Sequence, residues 1–214
     1  MQLIEVIDKQ TAKEFILVNI NINKNDNNYI RPLDKDVDAV FDEKKNKAFR
    51  FGETKRWILK DDTGNLIGRI AAYANKKYKS KGDEQPTGGI GFFDCIHNQE
   101  AADILFNSAK EWLMGKGFEA MDGPINFGER DKWWGLLVEG FEPPLYGMNY
   151  NQPYYQQLFE DYGFQVLFNQ LCFGRPLKGR LADRFYEGHE KIAADKNFSA
   201  RRVDKKNLDI IKQF

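Results

Sequence analysis

The stretch GGIGFFDCIHNQEAADILFNSAKEWLMGKGF, residues 88 to 118, decides the fold. Its apolar run IGFFDCI predicts a largely buried strand, and a long helix follows at once. Asn98 is the expected N-cap of that helix, and Gly115 or Gly117 is expected to end it. One helix face should therefore pack on a sheet. The apolar residues that recur at spacings of three and four are Ala101, Ile104, Leu105, Ala109, Trp112 and Leu113.

Apolar runs on both sides extend this unit to a larger sheet. RWILK (56–60) and LIGRIAAYAN (66–75) flank the turn sequence DDTGN, which predicts a β-hairpin. Near the N-terminus, Thr11 with Glu14 three residues later predicts a capping box for the first helix. The predicted order is β, α, α, β, β, β, α, β, α, β, which indicates the α/β (α+β) class, with a mixed central sheet and flanking helices. The remaining predicted elements are strands at 3–8, 119–125 and 165–173 and helices at 11–21, 34–49 and 151–164.

Composition narrows the class of partner. The 214 residues include 32 Lys plus Arg and 32 Asp plus Glu, so the formal net charge is zero and no nucleic acid is expected as a partner. Two cysteines without CxxC spacing and two histidines do not form a local metal motif, and we expect no metal and a reducing, cytoplasmic location. The N-terminus lacks the pattern of a secretion signal and no run has the ~18 apolar residues of a membrane span, so we expect no membrane partner.

Four segments carry a resemblance to a known superfamily: IGRIAAYAN, GFFDCIHNQEAADILFNSAKEWL, GPINFG and GLLVEGFEPPLYGMNYNQPYYQQLFEDYGF. They resemble a bacterial branch of the acyl-CoA N-acyltransferase (GNAT) superfamily, over roughly residues 1–176. We therefore expect a GNAT-like domain at 1–176, followed by a linker and helix within 177–214. Aligning Asp8 with Asp204 places Ile7 opposite Val203, which is similar to the start of a second, related half.

The resemblance implies a splayed sheet that takes acetyl-CoA or another acyl-CoA between the strands GGIGFFDCI and EAMDGPI. The pantetheine chain of the donor would pair with strand backbone, and the pyrophosphate would lie at the following helix N-terminus. The donor-binding residues that this implies are Phe92, Phe93, Asp94, Cys95 and Asn98.

The chain departs from the superfamily pattern at two places. The glycine-rich pyrophosphate turn is missing, because CIHNQEAAD contains no glycine, and Glu100 and Asp103 in that helix turn would repel a phosphate. The tyrosine that serves the superfamily as general acid aligns with Phe159, which cannot donate a proton. Tyr154 and Tyr155, one turn earlier, are the candidates to replace it.

The segment MDGPINFGERDKWWGLLVEGF, residues 121 to 141, follows the next predicted strand and is expected to line a substrate pocket. Trp133 and Trp134 would form an apolar wall, and Glu129, Asp131 or Glu139 would act as a base. The alternative is a lid that packs on the sheet while its charges stay solvated. Asp94 is either a base acting through water or a strand residue facing solvent. The expected pocket residues are Asn126, Trp133, Trp134 and Glu139.

Two functions follow from these observations. The first is an N-acyltransferase (acetyltransferase) that moves an acyl group from CoA to an amine of a small molecule or peptide. A carboxylate, Glu129 or Asp94, would deprotonate the amine, and Tyr154 or Tyr155 would protonate the leaving thiolate. The alternative is a non-catalytic module of the same fold that binds a ligand or partner. The oligomeric state stays open, with a dimer as one option.

Overall fold

A five-stranded sheet in the order β1-β2-β3-β4-β5 organises the chain. The structure is a computed structural model that describes residues 1–77, 85–174 and 178–199. All strand pairs are antiparallel except β4–β5, which is parallel, so the predicted mixed sheet is confirmed. The strands are β1 (Gln2–Glu5), β2 (Gly52–Lys60), β3 (Leu66–Asn75), β4 (Thr87–Cys95) and β5 (Ala120–Asp122). The helices are α1 (Lys9–Asn23), α2 (Asp34–Val40), α3 (Gln99–Gly115), α4 (Tyr155–Tyr162) and α5 (Asp183–Ala194).

The chain divides into two units, Met1–Val166 and Leu167–Phe214. The first holds the sheet and α1 to α4, and the second holds α5. The expected boundary at residue 176 and the expected second half remain predictions, and residues 200–214 lie outside the described part. Of the helices described, none is long and apolar enough to cross a membrane.

Helices cover both faces of the sheet, and this explains the uninterrupted apolar sequence of β3. Ile70 and Ala72 join the core beneath α3 and α4, whereas Ala71 and Tyr73 join the core beneath α1. Because successive strand residues point to opposite faces, a strand buried on both sides reads as a continuous apolar run.

The caps of the helices are partly as predicted. Asn98 caps α3, since its Oδ1 accepts from the Ala101 backbone N–H at 2.8 Å, and Gly117 follows the helix with φ +84°. The capping box predicted for Thr11 and Glu14 is wrong. Asp8 is the N-cap of α1, and its Oδ1 accepts from the Thr11 N–H at 2.7 Å while the Thr11 hydroxyl accepts from the Asp8 N–H at 3.1 Å. Asp8 and Thr11 themselves have the three-residue spacing of a capping box, so the helix begins one turn earlier.

The strand predicted at 165–173 is also wrong. These residues are described and form no strand, although their composition favours one. A strand is stable only when its backbone groups find partners, and no described strand pairs with this segment. Most of its apolar side chains are exposed: Val166, Leu167, Phe168, Leu171 and Phe173.

Candidate active site

A β-bulge in β4 shapes the candidate site. Arg69 pairs with Asp94 and Ala71 with Gly91, so two steps along β3 match three along β4, and β4 carries one extra residue. Phe92 lies in the bulge with φ +47°, a conformation that is uncommon for residues other than glycine. The extra residue therefore changes the direction in which the following side chains of β4 point.

The sheet opens directly beside this bulge. Strand β5 ends at Asp122, and the chain then crosses over β4, where the Ile125 N–H donates to the Ile90 carbonyl at 2.7 Å. A Cβ atom at Gly91 would lie 1.9 Å from the Ile125 carbonyl oxygen. Only glycine permits this crossing, which leaves the end of β4 without a neighbouring strand on that side.

A cavity of about 80 Å³ lies at this opening. One wall comes from α1 and the segment before α2. The other comes from residues 123–154, which we call the strap, and the floor comes from β3, β4 and α4. The apolar lining residues are Ile16, Ile20, Ile30, Pro32, Val37, Phe92, Phe93, Pro124, Trp133, Leu136 and Met148. The polar side chains in the lining are Asn19, Tyr29, Arg31, Arg69, Asp94, Asn149, Tyr150, Asn151 and Tyr155.

Asp94 is the centre of the cavity floor. It is 2% exposed, and Arg69 donates to it from Nε at 2.6 Å. Asn19 Nδ2 lies 3.0 Å from each carboxylate oxygen, and the Tyr155 hydroxyl donates at 3.1 Å. A buried carboxylate is stable only when it is paired and hydrogen-bonded in this way. Asp94 is therefore an anchored ion-pair partner, and the alternative of a solvent-facing strand residue is excluded.

Arg69 and Asn19 tie the floor to α1. The Arg69 Nη1 atom donates to the Phe15 carbonyl at 2.9 Å, and Asn19 Oδ1 accepts from the Tyr29 hydroxyl at 2.6 Å. Burial, followed by the charge of Asp94, raises the pKa of Tyr29 to about 12. Tyr29 therefore keeps its proton, and the hydrogen bond to Asn19, at neutral pH.

Two tyrosines at the start of α4 cover the edge of β4 that has no neighbouring strand in the described chain. The Cys95 N–H donates to the Tyr155 hydroxyl at 3.0 Å, and the Tyr154 hydroxyl donates to the Cys95 carbonyl at 2.8 Å. Burial raises the pKa of both phenols. It also raises the pKa of the Cys95 thiol to about 12, so this thiol stays protonated and unreactive at neutral pH.

The resemblance to the superfamily implies an acyl-CoA site at the end of β4 and the start of α3. In the structure, the groups expected to bind the acyl-CoA there already have partners within the protein. Cys95 has no backbone group left for a pantetheine chain, because the two tyrosine hydroxyls take both. At the start of α3, Asn98 is occupied as the cap, and Gln99 donates to the Leu158 carbonyl of α4 at 3.2 Å. A donor that pairs with Cys95 would have to displace Tyr154 and Tyr155.

The structure brings only some of the predicted site residues together. Trp133 lines the cavity at 5.3 Å from the Phe92 ring, together with Phe93, Asp94 and Tyr155. Trp134 packs against the neighbouring apolar core without lining the cavity, and the Arg130 guanidinium lies 4.6 Å from its ring centroid.

The other strap residues that were expected in the pocket lie outside it. Asn126 is buried, and its Oδ1 accepts from the Phe127 N–H. Glu129 is exposed and pairs with Lys132 at 3.4 Å, and Glu139 is exposed as well. None of these three lines the cavity.

Sequence reasoning missed Asn19, Tyr29 and Arg69. Arg69 carried a usable signal, because it interrupts the apolar strand LIGRIAAYAN and a charge in a buried strand requires a partner. Asn19 and Tyr29 are ordinary polar residues in the sequence, and only the fold shows their contact with Asp94.

Side-chain hydrogen bonds hold the strap against the end of α1 and the segment that joins it to α2. The Tyr150 hydroxyl donates to Asp26 at 2.7 Å, and Gln152 Nε2 donates to Asn23 Oδ1 at 2.8 Å. Burial, followed by the hydrogen bond to Asp26, raises the pKa of Tyr150 to about 12. The cavity is therefore closed on one side by polar contacts.

The sequence is similar to that of a known bacterial enzyme. No family model matches the sequence. The chain is 27% identical over 165 residues to the bacterial ceramide synthase of Caulobacter vibrioides. That alignment covers 77% of this chain but 42% of the relative, so the chain spans less than half of its length.

Solved structures with a similar fold are aminoglycoside 6'-N-acetyltransferases. The AAC(6')-IG enzyme of Acinetobacter haemolyticus superposes with a TM-score of 0.50 at 10% identity, over 83% of this chain and 100% of that one. The AAC(6')-Ih enzyme of Acinetobacter baumannii gives 0.49 at 9% identity, again over 83% and 100%. The superposition with the AAC(6')-IG enzyme shows that the chain has the fold of the GNAT acetyltransferases, as the sequence predicted.

Proposed function

We propose that this chain is an N-acyltransferase that joins an acyl group from an acyl-CoA to an amine held in the cavity. The observation that carries this proposal is the cavity at the β4 bulge, with Asp94 at its floor. The relative from Caulobacter supports it, because a ceramide is an amide and its synthase forms an amide bond.

Asp94 is the residue best placed to handle the proton of the amine. Asn19 Nδ2 lies 3.0 Å from both of its oxygens, so an acceptor nitrogen that replaces this amide would have the carboxylate within hydrogen-bonding distance. Glu129 and Glu139 lie outside the cavity and have no comparable position.

Tyr155 and Tyr154 are the proposed sources of the proton that a leaving thiolate takes up. Once Tyr155 has given its proton to the thiolate, its phenolate can take up the proton that Asp94 accepted from the amine, across the 3.1 Å contact between the two groups. The hydroxyls must first leave Cys95, and so the proposal requires α4 to shift when an acyl-CoA binds. The acyl group is acetyl or a longer chain, and the assay below distinguishes these.

The experiment combines the purified chain with acetyl-CoA, octanoyl-CoA or palmitoyl-CoA and a mixture of amines. Amides are detected by mass spectrometry and released CoA by its thiol. We expect amide formation, at least tenfold slower per folded molecule in Asp94→Asn, since an amide cannot accept the proton. The folded fraction is measured as well, because the substitution leaves the buried Arg69 without its charge partner. Asp161→Asn is the matched control, because Asp161 is exposed on α4 outside the cavity. The absence of amide with every donor would overturn the proposal.

A second candidate is a binding module without transfer activity. The observation that favours it is the occupation of both Cys95 backbone groups by tyrosine hydroxyls. A thermal shift with CoA and acetyl-CoA separates the two. A donor at a hundredfold its dissociation constant stabilises a protein by about 2.7 kcal/mol, which raises Tm by several degrees. An unchanged Tm together with amine binding would favour the module.

A further inference from the structure

We propose that the acceptor carries one amine on an apolar chain, and that amines with several positive charges are poor ligands of the cavity. The inference rests on the proposed function, because it names the class of acceptor for the same site. It follows from the charges of the cavity, from its walls and from its volume.

The described residues that line the cavity include a single carboxylate, which can pair with one ammonium group at most. Asp94 is the only carboxylate among the lining residues of the described chain, and Arg69 already neutralises it at 2.6 Å. The other cation of the lining, Arg31, is paired with Asp34 at 2.6 Å. A buried charge without a partner is strongly unfavourable, so further ammonium groups on a ligand would find no compensation here.

Two acidic side chains outside the lining hold tyrosines of the strap. Asp26 accepts from the Tyr150 hydroxyl, and Asp36 accepts from the Tyr146 hydroxyl at 2.6 Å. A polycation that binds either carboxylate would therefore compete with a hydrogen bond that holds the strap.

The walls suit an alkyl chain. Ile16 and Ile20 stand one turn apart on α1, and Trp133 and Met148 face them from the strap. Ile30 lines the cavity and is still 55% exposed, which indicates that the apolar wall continues to the mouth. Each methylene that leaves water along such a wall should raise the affinity about threefold to fourfold.

The volume shows which part of the acceptor is enclosed. A cavity of about 80 Å³ is much smaller than the ~300 to 1,000 Å³ of typical ligand pockets, so it encloses the head group and not the whole of a long acceptor. The amine and its neighbouring atoms would lie at the floor, near Asn19 and Tyr29. The rest of the chain would follow the wall outward past Ile30.

The test measures binding by calorimetry without any acyl donor. Butylamine, hexylamine and octylamine are compared with spermidine on the wild-type chain. We expect an affinity that rises about tenfold for every two methylenes, and no measurable binding of spermidine. Spermidine binding more tightly than octylamine, or an affinity independent of chain length, would overturn the inference.

Two variants test whether the alkyl chain of the amine follows the wall past Ile30. Ile30→Ser removes apolar surface from the wall without adding a charge, and it should weaken octylamine about threefold to tenfold. Ile7→Ser is the matched control, because Ile7 is exposed and lies outside the lining, and it should bind like the wild type. Equal binding by both variants would contradict the proposed path of the chain.

These experiments distinguish a failure of this inference from a failure of the proposed function. Length-dependent amine binding without amide formation would leave this inference standing and remove the transferase. Amide formation with spermidine in preference to alkylamines would support the transferase and overturn this inference.

Discussion

At the scale of single residues, the pair of Arg69 and Asp94 controls both stability and the site. The two side chains are almost completely buried, and their contact joins β3 to β4 at the cavity floor. A buried pair of this kind contributes little net stability compared with apolar residues of the same size, but removing one partner leaves the other charge unpaired.

Arg69→Met should therefore destabilise the protein by about 3 to 5 kcal/mol. The combined variant Arg69→Met with Asp94→Leu should be more stable than Arg69→Met alone, because no buried charge remains. Urea unfolding of the wild type, both single variants and the double variant measures this. A double variant that is as unstable as the sum of the two single variants would show that the pair is not coupled.

Tyr154 and Tyr155 permit a test that separates a role in proton transfer from one in structure. Replacing both by phenylalanine removes the hydroxyls from Cys95 and should lower the free energy of unfolding by about 1 to 3 kcal/mol. If the phenols also supply the proton, turnover of the folded enzyme should fall at least tenfold, with a changed pH profile. Unchanged turnover, corrected for the folded fraction, would remove both residues from the mechanism.

At the scale of elements, β4 depends on a glycine that the crossing segment requires. Gly91→Ala would place a Cβ atom 1.9 Å from the Ile125 carbonyl, and since that neighbour is backbone it cannot turn away. We expect destabilisation by about 3 kcal/mol, at the upper end for overpacking. Gly115→Ala is the control, because nothing lies within 4 Å of a Cβ there and alanine favours the last turn of α3 by up to about 1 kcal/mol. Thermal unfolding compares the two, and equal Tm values would contradict the steric argument.

The elements also show which features of the fold can be predicted from the sequence alone. The helix after Asn98 and the hairpin of β2 and β3 were predictable, because their signals are local: a cap, an apolar period and a turn. The bulge at Phe92 was not, since it arises where β3 and β4 are matched across the sheet. For the same reason the segment 165–173 was misread. Its composition favours a strand, but the presence of a partner strand is not a local property.

Of the candidate site, the sequence identified Asp94, Trp133 and Tyr155 as members of one constellation. It could not supply Asn19 or Tyr29, because their role depends on α1 lying over β4. It also offered Glu129, Asp131 and Glu139 as bases beside Asp94, since the sequence of a loop with mixed charge does not show which side chains are exposed. Distance to the cavity separates them.

At the scale of the first unit as a whole, the cavity is closed by polar contacts between the strap and the segment between α1 and α2. Tyr150 of the strap donates to Asp26 of that segment, whereas Tyr29 of the segment donates to Asn19 of α1 and so holds the segment against the helix. The two rings also lie 6.2 Å apart. The protonation of two phenols is thereby linked to the packing of these two segments.

This linkage predicts that stability falls at alkaline pH. The pKa of Tyr29 and that of Tyr150 are both raised to about 12, whereas tyrosines of the unfolded chain ionise near pH 10. Between these values the folded state binds more protons than the unfolded state. The free energy of unfolding is therefore undiminished below pH 10 and decreases as the pH rises toward 12.

Urea unfolding at pH 8, 9, 10 and 11 tests this prediction. The variant with Tyr29→Phe and Tyr150→Phe should be less stable than the wild type at pH 8, because it lacks two hydrogen bonds, but it should lose less stability between pH 10 and 11. Tyr186→Phe, on exposed α5, controls for the loss of a tyrosine as such, and it should follow the wild type. If the double variant loses stability as steeply as the wild type, the alkaline transition arises elsewhere, and the two phenols do not hold α1, the segment after it and the strap together in the way the structure indicates.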